Sequence, residues 1–232
     1  MIKTCIALSF LIVVAVVNGQ HVKQPREVVE AYQVVTEFQR LFARNLDFER
    51  AFDATFTKDP ARRRAIAIAE SEIGNAVVDA VDDATLIGIY KNQMQIFLLM
   101  LPLIGPANTN EEALFFPPEI KTIFERKRPD TPEQLPAYAA QLKLDAKQFH
   151  AHLNRLATEN AAVADRIRKF KEELLLKKLE PPVDHVVKPL TAYSKGRVLR
   201  VDEEYYQVGD YAVIREAGEM KIIGIRFFSR LF

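Results

Sequence analysis

From Leu142 to Leu179 the apolar residues recur alternately four and three positions apart, at Leu142, Ala146, Phe149, Leu153, Leu156, Val163, Ile167, Phe170 and Leu174. Asn160 is the one polar residue on that line. A seven-residue repeat sustained in this way predicts one long helix with a narrow apolar seam. At 1.5 Å per residue it would be roughly 50 Å long, more than a small core needs, so another surface must pack along it. A lone polar residue at a seam position either fixes register and partner number or meets a polar group of its own chain, and Asn160 is open to both readings.

Glu180, Pro181 and Pro182 close the helix, because proline disfavours helix at the residue before it and cannot continue the hydrogen-bond ladder. Beyond them the period changes to two. Segments around Lys188 to Tyr193, Gly196 to Val201, Glu204 to Val208, Tyr211 to Arg215 and Met220 to Phe228 are rich in β-branched and aromatic residues. Gly209-Asp210 and Ala217-Gly218 are two-residue loops of the kind that close hairpins, so an antiparallel meander of four or five strands is expected. In its last strand Ile223, Ile225 and Phe227 would face the core, opposite Ile222, Gly224 and Arg226.

Ahead of the seam the spacing is helical. Pro25, Arg26 and Glu27 read as a helix start, followed by a stripe of Val28, Tyr32, Val35, Phe38 and Phe42. Asp47 opens a short helix carrying Phe48, Phe52 and Phe56, a cluster that reads as core. Asp59-Pro60 is a further N-cap signal, before a stripe of Ile66, Ala69, Ile73, Val77 and Val81 that Gly74 and Asn75 weaken. Asp82 or Asp83 can cap the next helix, whose end from Ile96 to Ile104 around Pro102 is almost continuously apolar. Lys91, Asn92, Gln93 and Gln95 interrupt it, which favours a buried helix over a membrane span. Six prolines from Pro106 to Pro136 mark a connector or cap over the helix ends, pinned by Phe115 and Phe116.

The expected fold is therefore α+β: a mainly antiparallel helical body over residues 20–180 with one long heptad-patterned helix, and a small C-terminal antiparallel β-meander over residues 183–232 packed on the helices. Lys3, the apolar run from Cys5 to Val17, and Asn18-Gly19-Gln20 follow the pattern of a secretory signal peptide over residues 1–19, which points to a periplasmic or secreted protein. An uncleaved N-terminal anchor is the alternative. The single cysteine, Cys5, lies inside that segment, so the mature chain would have no thiol for disulfide, nucleophile or metal.

Chemistry is sparsely signalled. With 32 basic and 31 acidic residues the net charge is +1, and no basic face for nucleic acid stands out. The densest run, Arg62 to Arg64, reads as a solvated helix face. His150 and His152 point about 200° apart on a helix and lack the partners of a metal pair. Asp145, His152 and Glu159 recur every seven residues and read as a chance polar run beside the seam. Asp79, Asp82 and Asp83, and Glu70 with Glu72, are close pairs of carboxylates that capping explains more simply than catalysis. Tyr193, Tyr205, Tyr206 and Tyr211 follow strand preference. No Gly-x-Ser-x-Gly, phosphate loop or H-E-x-x-H occurs. A terminal Phe232 recurs in outer-membrane barrels, but Arg226 and Arg230 occupy places where apolar residues should alternate.

No catalytic, cofactor-binding or metal-ligating residue is nominated. The expected function is that of an exported, non-enzymatic interaction or scaffold protein, with a protein partner or a second copy bound through the heptad helix. The alternative is a carrier or enzyme for a small apolar ligand held between the C-terminal sheet and the helices.

Overall fold

The structure is a computed structural model and describes residues 26–70, 75–78, 80–104, 113–176, 184–186, 190–194, 197–201 and 205–225. The signal-like segment, Phe227 and Phe232 lie outside these residues. Helices α1 (Arg26–Asn45), α2 (Phe48–Thr55), α3 (Pro60–Glu70), α4 (Asn75–Val78), α5 (Asp83–Met100), α6 (Pro118–Phe124), α7 (Leu135–Glu159) and α8 (Ala161–Leu176) precede strands β1 (Asp184–Val186), β2 (Leu190–Ser194), β3 (Arg197–Val201), β4 (Tyr205–Val208), β5 (Tyr211–Glu216) and β6 (Glu219–Ile225). The fold is α+β, mostly helical with a small C-terminal antiparallel sheet.

Helix starts fall where short polar side chains can take up unpaired backbone N–H groups. Asp47, Asp59 and Asp82 accept from the N–H of Arg50, Arg62 and Thr85 at 3.0, 2.8 and 2.8 Å. Asp82 is thus the cap of α5, while Asp83 pairs with Arg64 at 2.6 Å.

Helix α5 runs through the middle of the body, burying Leu86, Ile89, Tyr90, Met94, Leu98 and Leu99. Its polar interruptions each meet a partner. The Gln95 amide accepts from Phe48 N–H at 2.6 Å and donates to the Leu46 carbonyl at 2.7 Å, closing the tight turn between α1 and α2 where Leu46 has a φ of 52°. Asn92 donates to the Gly88 carbonyl, and Gln93 to the Tyr138 hydroxyl of α7. No helix among the described residues is long and apolar enough to cross a membrane.

The seam does not form one helix. Asn160 has extended backbone (φ −133°, ψ 108°), its N–H closes α7 on the Leu156 carbonyl, and its Oδ1 accepts from Ala162 and Val163 N–H at 3.0 and 3.3 Å. It is the N-cap of α8, so the single long helix expected from the heptads is corrected to two. After the break α8 packs on α1 and α7, while α7 packs along α5. Leu142, Ala146, Phe149, Leu153, Leu156, Val163 and Ile167 all lie in the chain's own core. What packs along the seam is this protein.

The sheet also departs from a simple meander. β4, β5 and β6 are joined by the two expected tight loops, but β1 pairs with β4, giving the order β1-β4-β5-β6, and β2 with β3 forms a separate hairpin beside α3. Gly209 has a φ of 58° at the first loop, and Ala217 and Gly218 have φ of 50° and 89° at the second, the backbone that two-residue hairpin loops require. Opposite Ala212 and Val213 the register jumps from Gly224 to Ile222, leaving Ile223 as an extra residue on β6. This bulge puts Ile222 and Ile225 on the helix side and Ile223 in a second small cluster with Tyr205, Ala212 and Ile214. The expected inward role of Ile223 is thereby corrected, and that of Ile225 holds.

The sheet is docked by the α2–α3 linker. Phe56 bridges Ile222 in parallel, and Thr57 N–H donates to the Ile222 carbonyl at 3.0 Å, covering part of the β6 edge. Phe38, with ring centroids 5.6 Å from Phe56 and 5.7 Å from Tyr211, ties α1 and α2 to the sheet. The phenylalanine cluster is core, as the helical spacing predicts.

Candidate functional site

The groups weighed in the sequence fall largely into structural roles. Asp145, 1% exposed, receives Arg126 through Nε at 2.6 Å and Nη2 at 2.9 Å, and Gln141 Nε2 at 3.0 Å. About two turns further along α7, His152 is buried between Arg155 Nη2, at 3.1 Å from Nδ1, and the Phe115 carbonyl, at 3.0 Å from Nε2. Arginine only donates, so Nδ1 is the acceptor and Nε2 carries the proton. Asp145 and His152 are therefore two clamps that fasten the proline-rich connector to α7, and the reading of a chance polar run is corrected; Glu159, in the same series, is exposed. Phe115 is buried as expected, beneath the Arg166 guanidinium at 5.2 Å.

Tyr205 and Tyr211 point to opposite sides of the sheet, into separate clusters, and do not make a platform. Burial pushes the Tyr211 hydroxyl well above the usual tyrosine range, the Gln39 hydrogen bond opposing and Asp210 adding, so it stays neutral. His150 is half-buried; desolvation lowers its pKa, Asp47 opposes and Lys171 adds. Asp79 and Glu72 lie outside the described residues. Among the described residues no three His, Cys, Asp or Glu side chains come together as a metal-ligand set.

The run Arg62 to Arg64 is not a solvated face. Arg62 lies 3.5 Å from Glu216 of β5. Arg64 donates to the Val78 and Val81 carbonyls at 2.9 Å each, as well as to Asp83. Arg63 turns the other way, donating through Nε to the Thr57 carbonyl at 2.6 Å and lying over the Phe52 ring at 4.9 Å.

Arg63 opens a site that the structure assembles among the described residues and that the sequence did not signal as such. A cleft of about 470 Å³ lies between α2, α3 and α5, lined by Glu49, Lys58, Pro60, Arg63, Ala84, Ile87, Gly88 and Lys91. Lys91 comes from the buried helix α5; its ammonium, on a side chain 14% exposed, meets both oxygens of Asp53 at 2.9 and 2.8 Å and lies 3.6 Å from Glu49. It also sits 5.3 Å from the centroid of Phe52, so that two cations share one aromatic ring. Lys58 Nζ donates to the Asp53 carbonyl. Burial lowers the Lys58 pKa first, and the neighbouring charges of Arg63, Lys221 and Lys91 lower it further, against the opposing pull of Asp53.

Arg63 Nη2 is 3.3 Å from Asp53 Oδ1, close enough for charge attraction, yet that buried nitrogen makes no well-directed hydrogen bond. Three cations and Glu49 thus line the cleft, with Asp53 paired to Arg63 and Lys91 behind them and Pro60, Ala84 and Ile87 as an apolar wall. Such an arrangement can hold an anion. Two traces of it exist in the sequence: a lysine on an otherwise buried helix, and arginines beside it in a three-residue run. Neither says that they converge.

Comparison with protein-family models, with curated proteins and with solved structures gives no significant match to this chain.

Proposed function

We propose that the protein is an exported, non-enzymatic binding protein that acts through the cleft between α2, α3 and α5. Export rests on the signal-like pattern of residues 1–19. The observation that carries the binding role is the convergence of Lys58, Arg63 and Lys91 on Asp53 beside an open, partly apolar cleft. A buried lysine is retained on a central helix only if its charge is compensated, and here the compensation doubles as a prepositioned anion receptor.

Self-association through the heptad helix draws less support, because the seam is covered by α1, α5 and the chain's own core. A native mass spectrum of the protein recovered from an exporting host tests the reading. The expected result is a monomer retaining a small acidic molecule that is lost when Lys91 is replaced by Met. A ligand-free oligomer would move the protein to the scaffold class.

A further inference from the structure

We infer that the cleft takes a small organic monocarboxylate, with its head against Lys58, Arg63 and Lys91 beside the Asp53 carboxylate and its apolar body against Pro60, Ala84 and Ile87. This inference rests on the reading of the cleft as the binding site and names its ligand class.

Charge sets the head group. Lys58, Arg63 and Lys91 of the lining set against Glu49 and the paired Asp53 leave 3 − 2 = +1, which one carboxylate neutralises and a phosphate dianion would overshoot. Geometry agrees. Arg63 commits Nε to Thr57 and lines the cleft with the rest of its head group, and guanidinium presents its donors in the spacing of a carboxylate. Asp53, at 44% side-chain exposure, is the internal carboxylate that shows where the cations point. An entering anion shares Lys91 and Arg63 with it and also eases the crowding of like charge around Lys58. The stacking of Arg63 and Lys91 on Phe52 fixes both cations before the ligand arrives, which reduces the ordering that binding requires.

The wall sets the rest of the molecule. Pro60, Ala84 and Ile87 present no hydrogen-bonding side chain, and about 470 Å³ falls within the roughly 300–1,000 Å³ of small-molecule sites. Gly88 lies on the same wall, and a Cβ added there meets nothing within 4 Å. The first carbon of a side chain at position 88 is therefore accommodated on the cleft wall without displacing the fold.

Isothermal titration of the full chain with sodium acetate, hexanoate, octanoate and inorganic phosphate tests the assignment. Affinity is expected to rise about fourfold for each methylene buried along the wall, with phosphate weaker than hexanoate. Gly88→Leu should abolish octanoate binding while leaving the thermal midpoint unchanged or higher, since glycine is a poor helix former. Octanoate binding no tighter than acetate, or unaltered by Gly88→Leu, overturns the inference. Phosphate binding that Gly88→Leu abolishes, without carboxylate binding, overturns the ligand class and leaves the cleft as an anion site. If none of the four binds, both this inference and the proposed function fall.

Discussion

Arg126 and Asp145 form a pair whose two halves should respond unequally to removal. The Asp145 carboxylate is 1% exposed whereas the Arg126 side chain is 30% exposed, and two N–H···O bonds of 2.6 and 2.9 Å join them. Replacing Arg126 with Met strands a buried carboxylate, with the Gln141 amide still donating at 3.0 Å. Stranding one member of a buried pair costs about 3–5 kcal/mol, and the remaining amide argues for the lower end, about 3 kcal/mol. Replacing Asp145 with Leu removes the desolvated charge itself and leaves an arginine that can turn into water, so the loss should be about 1 kcal/mol. The double variant Arg126→Met with Asp145→Leu should lie close to the milder single variant, because no charge is left buried. For a chain of this length these losses are thermal shifts of roughly 6–12 °C and 2–4 °C. Urea unfolding followed by circular dichroism, with an unchanged slope, gives the free energies directly. If Arg126→Met proves no more harmful than Asp145→Leu, or if the double variant is worse than both, the clamp on the connector is not governed by desolvation.

Two further outcomes are expected. Asn160→Ala should lose about 1 kcal/mol of stability through the missing N-cap, with no change in subunit number by native mass spectrometry; a changed oligomer mass would restore the register role. Glu216 is opposed by burial, but the Thr57 hydroxyl, the Lys58 N–H and Arg62 together hold its pKa below the ordinary 4.5. Its folded pKa being depressed, its contribution is present above about pH 4.5 and lost as pH falls below that value toward the folded pKa. Urea midpoints taken from pH 6 to pH 3 should therefore fall more steeply in the wild type than in Glu216→Gln, and parallel curves would refute the junction's role.

The sequence by itself determined the elements and the class of fold. Helix starts at Asp47, Asp59 and Asp82, the loops at Gly209-Asp210 and Ala217-Gly218, and the phenylalanine core are local: a short side chain reaches its own backbone, two-residue loops need positive φ, and apolar spacing of three and four marks one helix face. Where reading the sequence failed, a distant partner decided. Asn160 sits in perfect heptad phase, yet its amide satisfies two backbone N–H groups and lets α8 turn back onto α1, an exchange that periodicity does not register. Ile223 keeps the alternation of a strand, and only its cross-strand neighbours reveal the bulge that moves it to the other face. Asp145 and His152 look like solvent-facing residues until the connector crosses them, and Arg62 to Arg64 look like one charged surface until three separate partners take them apart. The cleft belongs to this second group. Its cations come from α3, α5 and the linker before α3, Lys91 lying 38 residues from Asp53, and charge at that separation in sequence acquires meaning only when packing brings it within a few ångströms, because Coulomb attraction depends on distance in space and on burial, not on order along the chain.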